Sequence, residues 1–214
     1  MQRKARLLIV QAALAMGVFS ANAHAGTLLA GTGKVEITPD AGDFPITAPR
    51  EKDFVGIHDP VFARAIALGE DQDRVVLINL EVTAVPGGLD TVKSVADALG
   101  LPVSHVILFA SHTHSNPLVF FHGGTPSPTQ ARLIERTIGG AVAAGRSALA
   151  VLQPARIGFG RGEAFVNTNN GELAGQGGIP DPHGPSDKTL NVLRVESLDG
   201  KPLALLVNYA THAK

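Results

Sequence analysis

The stretch that decides the fold is "VFARAIALGEDQDRVVLINLEV", residues 61–82. It contains two apolar runs with many β-branched residues, 61–68 and 74–82, which a short acidic and polar segment separates. Two such runs around a polar turn are typical of a β-hairpin. The stretch therefore predicts two neighbouring antiparallel strands, and the rest of the fold can be built outward from them.

Helical and strand patterns alternate after this hairpin. Apolar residues recur at helical spacing over 89–99, and Gly100 and Pro102 end that predicted helix. The continuous apolar run 103–110 is typical of a buried strand, and the Ala-rich segment 129–152 is the longest predicted helix. Three glycines in that helix lower its propensity by about 1 kcal/mol each relative to Ala, or else let it approach a sheet closely. They are Gly139, Gly140 and Gly145.

Four further segments are predicted as strands, namely 31–40 with a turn at Pro39, 155–166, 190–197 and 202–210. The last two flank Asp199-Gly200, which is a strong hairpin signal. Strands mixed with two helices indicate a single α/β domain in which a mixed β-sheet is covered by helices. The segments 40–60, 115–128 and 167–187 are predicted as loops, and the last is long enough to indicate a functional role.

The N-terminal segment 1–25 has the pattern of a secretory signal peptide. Arg3, Lys4 and Arg6 precede the apolar run 7–19, and an Ala-x-Ala pattern follows it. The apolar run is shorter than the ~20 residues that a membrane span needs. We therefore expect cleavage during export, a secreted or periplasmic location, and no stable membrane span after signal cleavage.

The composition limits the kinds of partner and site. The chain has 214 residues with 18 Lys and Arg, 19 Asp and Glu, and no cysteine. Removal of the signal leaves 15 basic against 19 acidic residues, a net charge of −4 with histidine neutral. Such a chain has no basic surface for nucleic acid. Without cysteine there is no disulfide framework and no thiolate site, so a metal must be held by His, carboxylate or Tyr.

Titratable side chains follow three predicted strands at their carboxyl ends, where ligands gather in open α/β sheets. Glu81 ends the second hairpin strand, His112 and His114 lie in "FASHTHSNP" (109–117), and His212 follows the last strand. Residues i and i+2 of an extended segment point the same way, so both imidazoles of His-Thr-His can reach one pocket. Two loop histidines at a strand end are the alternative. A third histidine at a separate strand exit favours a metal site, because a metal needs ligands from several elements.

Other histidines have ordinary interpretations. His105 lies inside a predicted strand and is interpreted as a packed core residue, whereas His122 and His183 lie in Gly/Pro-rich loops and are interpreted as solvated. His58 adjoins Asp59, whose carboxylate can orient an imidazole, but an exposed turn explains this pair equally well. Glu81 is interpreted as a ligand, a general base or a strand-end acid.

Asparagines and glycines mark further places of interest. Asn167, Asn169 and Asn170 form a polar cluster that suits recognition of a substrate amide or hydroxyl, and that also suits a turn. The glycine clusters 31–33 and 158–162 do not complete a dinucleotide-binding pattern, so they are interpreted as strand or turn glycines. The sequence contains no G-x-S-x-G motif of the kind that carries a hydrolase nucleophile.

Taken in order, these motifs resemble the N-terminal domain of the neutral/alkaline, non-lysosomal ceramidase family. The matching stretches are "GKVEITPD" (33–40), "GIHDPVFARAIAL" (56–68), "HTHSNP" (112–117), "VNTNN" (166–170) and "LNVLRVESLDGKPLALLVNYATH" (190–212). The resemblance covers nearly all of 30–214. The family has Gly at the position of Asn116 and Arg at the position of Asn170.

The resemblance implies a zinc-dependent amidase that cleaves the N-acyl bond of ceramide to give sphingosine and a fatty acid. It implies that His112 and His212 bind Zn²⁺ and that His114 is the catalytic residue that positions substrate or water. In such a site zinc polarises the amide carbonyl and lowers the pKa of its bound water toward ~7, while an imidazole can relay the proton. We expect a small-molecule or lipid amide as the substrate, with Asn167 and Asn169 as substrate-binding residues.

The family supplies further zinc ligands, a Glu and a Tyr, and a catalytic Ser from sequence downstream of the motif that contains His212. We therefore expect residues 26–214 to be a ceramidase-like N-terminal α/β domain that is truncated at its C-terminus. The alternative is an exported, non-catalytic module that retains the fold and binds a lipid or glycan. Its cleft would lie between 115–128 and 167–187.

Overall fold

The computed structural model describes residues 27–47, 52–117, 125–171 and 178–212. The predicted signal peptide 1–25 lies outside these residues, as do His122 and parts of the predicted loops 40–60, 115–128 and 167–187. No helix in the described ranges combines the length and the apolar character that crossing a membrane requires.

The described part of the chain contains nine strands and two α-helices. In chain order they are β1 (Leu29–Glu36), β2 (Phe62–Glu70), β3 (Asp73–Leu80), α1 (Gly88–Leu99), β4 (Val106–Ala110), α2 (Pro128–Ala150), β5 (Gln153–Glu163), β6 (Asn169–Gly171), β7 (Ile179–Asp181), β8 (Thr189–Ser197) and β9 (Pro202–Tyr209). Seven strands form one sheet in the order β4-β3-β2-β1-β5-β8-β9, and β6 pairs with β7. The strands β3 and β4 are parallel, whereas the other pairs are antiparallel. The predicted α/β class with a mixed sheet is confirmed.

Both predicted hairpins are present. Strands β2 and β3 pair from Ala63 with Leu80 to Glu70 with Asp73, and Asp71 between them has a left-handed φ of 43°. Strands β8 and β9 are joined by the Asp199-Gly200 turn, in which Gly200 has φ 87°. A positive φ costs glycine nothing, which explains the signal that this dipeptide gives.

The helices begin and end where local chemistry predicts. The hydroxyl of Ser127 accepts from the backbone N–H of Gln130, the Gln130 side chain accepts from the Ser127 N–H, and Pro128 occupies the first helical position of α2. Gly100 ends α1 with a left-handed φ of 68°.

An ion pair joins α2 to the segment after β1. The Arg132 guanidinium, which bonds Asp43 at 2.6 Å, holds the pKa of that carboxyl below its ordinary value.

The predicted strand 103–110 is shorter than expected. Residues Val103–His105 form a 3₁₀ turn after Pro102, and β4 begins only at Val106. His105 is therefore half-buried at the start of the strand rather than packed inside it, and its Nδ1 lies 2.9 Å from the carbonyl oxygen of Arg74. The imidazole therefore links the start of β4 to β3 through this hydrogen bond.

The two faces of the sheet carry different cores. Alternate residues of β2 and β3, including Ala65 and Ile78, pack against buried side chains of α1 and α2 such as Val95 and Ala144. The residues between them on the same strands face a second, smaller cluster that includes β5 and β8 side chains. Both helices thus cover one face, and the far end of the sheet approaches the other face.

Glycines allow α2 to lie directly on β1. A Cβ atom at Gly31 would lie 2.1 Å from the carbonyl oxygen of Ala148, and one at Gly33 would lie 2.0 Å from that of Ala144. Within α2, a Cβ at Gly140 would lie 2.2 Å from Ile37. The glycines 31–33 are strand glycines, as predicted, and they set the distance between helix and sheet.

We expect Gly33→Ala to lower the free energy of unfolding by about 1–3 kcal/mol or more, because the helix backbone must move to admit the methyl group. Gly158→Ala in β5 is the matched control, since a Cβ there meets no atom within 4 Å. Its expected effect lies within about 0.5 kcal/mol. Urea unfolding followed by circular dichroism measures both. Equal stability of the two variants would show that α2 does not lie this close to β1.

Candidate metal centre

The parallel strands β3 and β4 deliver their following residues to the same edge of the sheet. The pairing continues beyond the strands, because the backbone N–H of Ser111 donates to Leu80 O at 2.9 Å and that of His112 donates to Val82 O at 3.0 Å. The His-Thr-His segment is therefore held by main-chain hydrogen bonds up to its first histidine. These bonds fix the backbone position of His112 two residues beyond the end of β4.

His112 then turns the chain with a left-handed φ of 60°, which is rare for a residue with a side chain and costs about 1–2 kcal/mol. Its Nδ1 lies 2.7 Å from the carbonyl oxygen of Thr83. A carbonyl can only accept, so Nδ1 carries a proton, which in the neutral imidazole leaves the lone pair on Nε2. Metal-binding histidines are commonly oriented by such a bond.

Thr83 fixes both sides of this turn. Its carbonyl orients His112, and its hydroxyl donates to the carbonyl oxygen of Thr113 at 2.7 Å. The side chain is 6% exposed, so water competes little for these bonds. Sequence reasoning missed Thr83. Its position two residues after Glu81, beside the parallel β4 exit, is the signal that could have identified it.

His212 reaches the same place from the other edge of the sheet. Strands β1 and β5 pair at only two positions, Leu29 with Pro154 and Ala30 with Gln153, and beyond them the strands diverge. The end of β9, residues 205–209, then faces β2, β3 and β4 across a cavity of about 460 Å³. The sheet thus bends over on itself, and its two edge strands, β4 and β9, send their following residues to one site.

Three imidazoles meet there. The ring centroids of His112 and His212 lie 4.9 Å apart, those of His114 and His212 5.0 Å apart, and those of His112 and His114 5.3 Å apart. The Nε2 atoms of His114 and His212 are 3.0 Å apart. His114 is half-buried, and the other two histidines are exposed. The structure therefore brings together all three histidines that the sequence singled out at strand exits.

The donor set fits a zinc ion. One ligand atom from each histidine lies within 4.8 Å of the others. Two nitrogens on one tetrahedral zinc lie about 3.4 Å apart, because each Zn–N bond is about 2.0–2.1 Å long, so closure from a separation of 4.8 Å needs a shift of about 1.4 Å. Exposed rings can make such a shift. Imidazole nitrogens favour zinc and related transition metals over magnesium or calcium, which prefer oxygen.

A cavity of about 450 Å³ opens beside His114. Its apolar wall includes Phe44, Phe54 and Ile57, and polar groups at its rim include His58 and Asn116. The cavity shares residues 115–117 with the cleft expected from sequence, whereas its other described walls are His114 and residues of 38–61 rather than of 167–187. A mostly apolar cavity next to a polar cluster is the usual form of a site for small ligands.

Other candidates do not join the histidine cluster. Both carboxylate oxygens of Glu81 are bonded, Oε1 to Arg64 at 2.8 Å and Oε2 to the Phe62 N–H at 2.8 Å, which agrees with a strand-end acid. His58 is exposed and pairs with Asp59 at 2.7 Å. The exposed turn proposed for this pair is what the structure shows.

The asparagines predicted to bind substrate make contacts within the protein. Asn167 is 8% exposed, and its amide donates to the carbonyls of Asp187 and Ala210 at 2.7 and 2.6 Å. The amide of Asn169 donates to Pro185 O at 2.6 Å. The substrate-binding role of these asparagines stays a prediction.

The fold is similar to that of two solved ceramidase structures. One, a ceramidase complexed with C2, is 24% identical with a TM-score of 0.65, and the match covers 87% of this chain and 31% of that chain. The other, a neutral ceramidase from Pseudomonas aeruginosa, is 25% identical with a TM-score of 0.67, and the match covers 87% of this chain and 32% of that chain. No protein-family model matches the sequence, and no curated protein sequence matches it.

These matches extend over most of the chain, which spans about a third of the length of the two ceramidase structures. The similarity confirms the expected likeness to ceramidases at the level of the fold.

We expect Thr83→Val to weaken both the fold and the metal centre. Loss of the hydroxyl leaves the Thr113 carbonyl without this partner, which lowers the free energy of unfolding by about 1–3 kcal/mol. The loosened His-Thr-His turn raises the zinc dissociation constant roughly 10- to 100-fold. Urea unfolding and a zinc titration against a competing chelator measure the two effects.

Thr91→Val is the matched control for this experiment, because the Thr91 hydroxyl makes an equivalent buried bond to Pro86 O before α1. It should lower stability similarly and leave zinc affinity unchanged. Equal zinc affinities of the two variants would show that Thr83 does not support the site.

Proposed function

We propose that this chain carries the histidine part of the metal site of a zinc-dependent amide hydrolase of the neutral ceramidase type. The observation that supports the proposal most strongly is the convergence of His112, His114 and His212 from two edges of one sheet, in a fold similar to that of solved ceramidases. A metal site is a better explanation for this than chance, because three neutral imidazoles gain little from one another without a shared cation.

Different roles are proposed for the three histidines. His112 and His212 hold the metal, since His112 has its Nδ1–H fixed on Thr83 and its Nε2 available. His114 is half-buried at the edge of the 450 Å³ cavity, so it is placed to position a substrate carbonyl or a water and to move a proton to the leaving amine. Zinc in such a site acts as a Lewis acid toward an amide carbonyl.

The proposed substrate is a lipid amide of the N-acylsphingosine type. The cavity beside His114 supports this choice, because its walls at Phe44, Phe54 and Ile57 can cover an alkyl chain and its polar rim can receive an amide. One of the two ceramidases with a similar fold is complexed with C2. We further propose that the protein is exported by the signal pattern of 1–25 and acts outside the cytoplasm.

The proposed metal site predicts a defined zinc content for the chain. Residues 26–214, purified and dialysed against zinc, should bind one zinc ion per chain, and His112→Ala should lose at least nine-tenths of it, because one of the few ligands is gone. His183→Ala is the control, since that exposed histidine lies outside the cluster. Elemental analysis by mass spectrometry measures the stoichiometry. Full zinc content in His112→Ala, or none in the unmodified chain, would refute the site.

The proposed activity predicts zinc-dependent hydrolysis of a lipid amide. The product of the whole gene should release fatty acid from short-chain N-acylsphingosine, and a chelator should abolish the release. His114→Ala should lower kcat by about 10²- to 10⁴-fold while zinc stays bound, because a proton-transfer group is lost. Fatty-acid release by liquid chromatography measures the rate. Loss of zinc from His114→Ala would make His114 a metal ligand, and zinc binding without any release would favour the non-catalytic binding module.

A further inference from the structure

The position of His212 raises a physical question. It follows β9, which among the described strands is an edge strand paired with β8, and the last pair in that ladder joins Leu190 with Tyr209. A chain beyond the last pair of an edge strand would normally fray. Yet the His212 ring lies within 5.0 Å of His112 and His114, centroid to centroid. Some interaction must hold the segment between Tyr209 and His212.

We infer that Asn167 is the positioning residue for His212, and that it acts by clamping the backbone at Ala210. The inference rests on the proposed function, because it gives Asn167 the role of supporting the proposed metal centre. Asn167 touches neither the imidazoles nor the cavity beside His114 in the contacts described, so its effect on the site must be indirect.

Both polar atoms of the Asn167 side chain are hydrogen-bonded. One Nδ2 hydrogen goes to Ala210 O at 2.6 Å, the other goes to Asp187 O at 2.7 Å, and Oδ1 accepts from Lys188 Nζ at 2.8 Å. Two carbonyls on one end and an ammonium group on the other allow only one orientation of this amide. No other side chain of this size offers two donors and an acceptor on one rigid group.

The backbone of Asn167 belongs to the same network. Its N–H donates to the hydroxyl oxygen of Tyr209 at 3.2 Å, and its carbonyl accepts from Lys188 Nζ at 2.7 Å. The Tyr209 hydroxyl in turn donates to Ala164 O at 2.8 Å. We call this set of residues the Asn167 clamp: Ala164, Asn167, Asp187, Lys188, Tyr209 and Ala210.

The clamp joins the segments that meet at the end of the bent sheet. Ala164 follows β5, Asp187 and Lys188 precede β8, and Ala210 follows β9. The Ala164 N–H also donates to Lys188 O at 2.9 Å, and the Thr189 N–H holds the pKa of the Asp187 carboxyl below its ordinary value. Asn167 at the centre of the clamp is 8% exposed, whereas Asp187 and Ala210, whose carbonyls it binds, are exposed residues.

The short distance from Ala210 to His212 makes the clamp effective. Two residues span at most about 7 Å, so fixing the Ala210 carbonyl confines His212 to a small volume. Release of that carbonyl would let β9 fray and carry the imidazole away from His112 and His114. The expected consequence is a weaker metal site in a protein whose sheet is otherwise intact.

The test uses Asn167→Asp, which keeps the shape and the bond with Lys188 but removes both donors to carbonyls. Asn169→Asp is the matched control, because it makes the same change two residues away, at the start of β6, and removes the bond to Pro185 O rather than a bond to Ala210 O. Two readouts are compared in both variants and in the unmodified protein. They are the nuclear Overhauser effects between the His114 and His212 rings in metal-free protein, and the zinc dissociation constant.

We expect the ring contacts to disappear and zinc binding to weaken about tenfold or more in Asn167→Asp alone. The inference fails if Asn167→Asp keeps both properties, or if Asn169→Asp loses them equally, since the effect would then be a general loosening of the loop. If the unmodified protein binds no zinc, the proposed function fails, while the ring contacts in metal-free protein still decide this inference.

A second variant guards against loss of folding. If the amide spectrum of Asn167→Asp shows an unfolded chain, Asn167→Ala replaces it, because it removes the same two donors without placing a carboxylate against the carbonyl oxygens of Asp187 and Ala210. The same two readouts apply. Unchanged ring contacts and unchanged zinc affinity in Asn167→Ala would overturn the clamp.

Discussion

The bend of the seven-stranded sheet is the constraint on which the site depends. In a flat sheet, strands β4 and β9 would lie at opposite edges, six strand spacings of about 4.8 Å apart, and His212 could not meet His112. Because β1 and β5 share only two paired positions, the strands beyond them are free to turn over the face that the helices leave open. On the helix face, α2 packs directly on Gly31 and Gly33 of β1, and the second half of the sheet folds across the opposite face.

Hydrogen bonds to backbone carbonyls then position the imidazoles. Thr83 O accepts a hydrogen bond from His112 Nδ1, which leaves Nε2 to face the site. The Asn167 amide donates to the carbonyl oxygen of Ala210, two residues before His212. Neither Thr83 nor Asn167 needs to touch a substrate to matter. Positioning groups of this kind are buried and polar, and their burial strengthens the hydrogen bonds that they make.

Much of the fold and part of the site could be predicted from the sequence. The hairpin of 61–82, the Asp199-Gly200 turn and both helices follow from local patterns that act over a few residues. The convergence of His112, His114 and His212 was predicted only from strand exits and the family resemblance. The bend itself has no local signature, because it arises where two paired positions join β1 and β5, which lie far apart in the chain. For the same reason Thr83 was overlooked and the structural contacts of Asn167 were not foreseen, since each acts through residues at least 20 positions away.

The most direct test of the central claim is anomalous diffraction measured on both sides of the zinc absorption edge from crystals of this protein grown with zinc. We predict an anomalous peak about 2.0–2.1 Å from imidazole nitrogens of His112 and His212, with His114 beside it. A peak located elsewhere, or histidine rings at 112 and 212 that face apart with no metal between them, would contradict it.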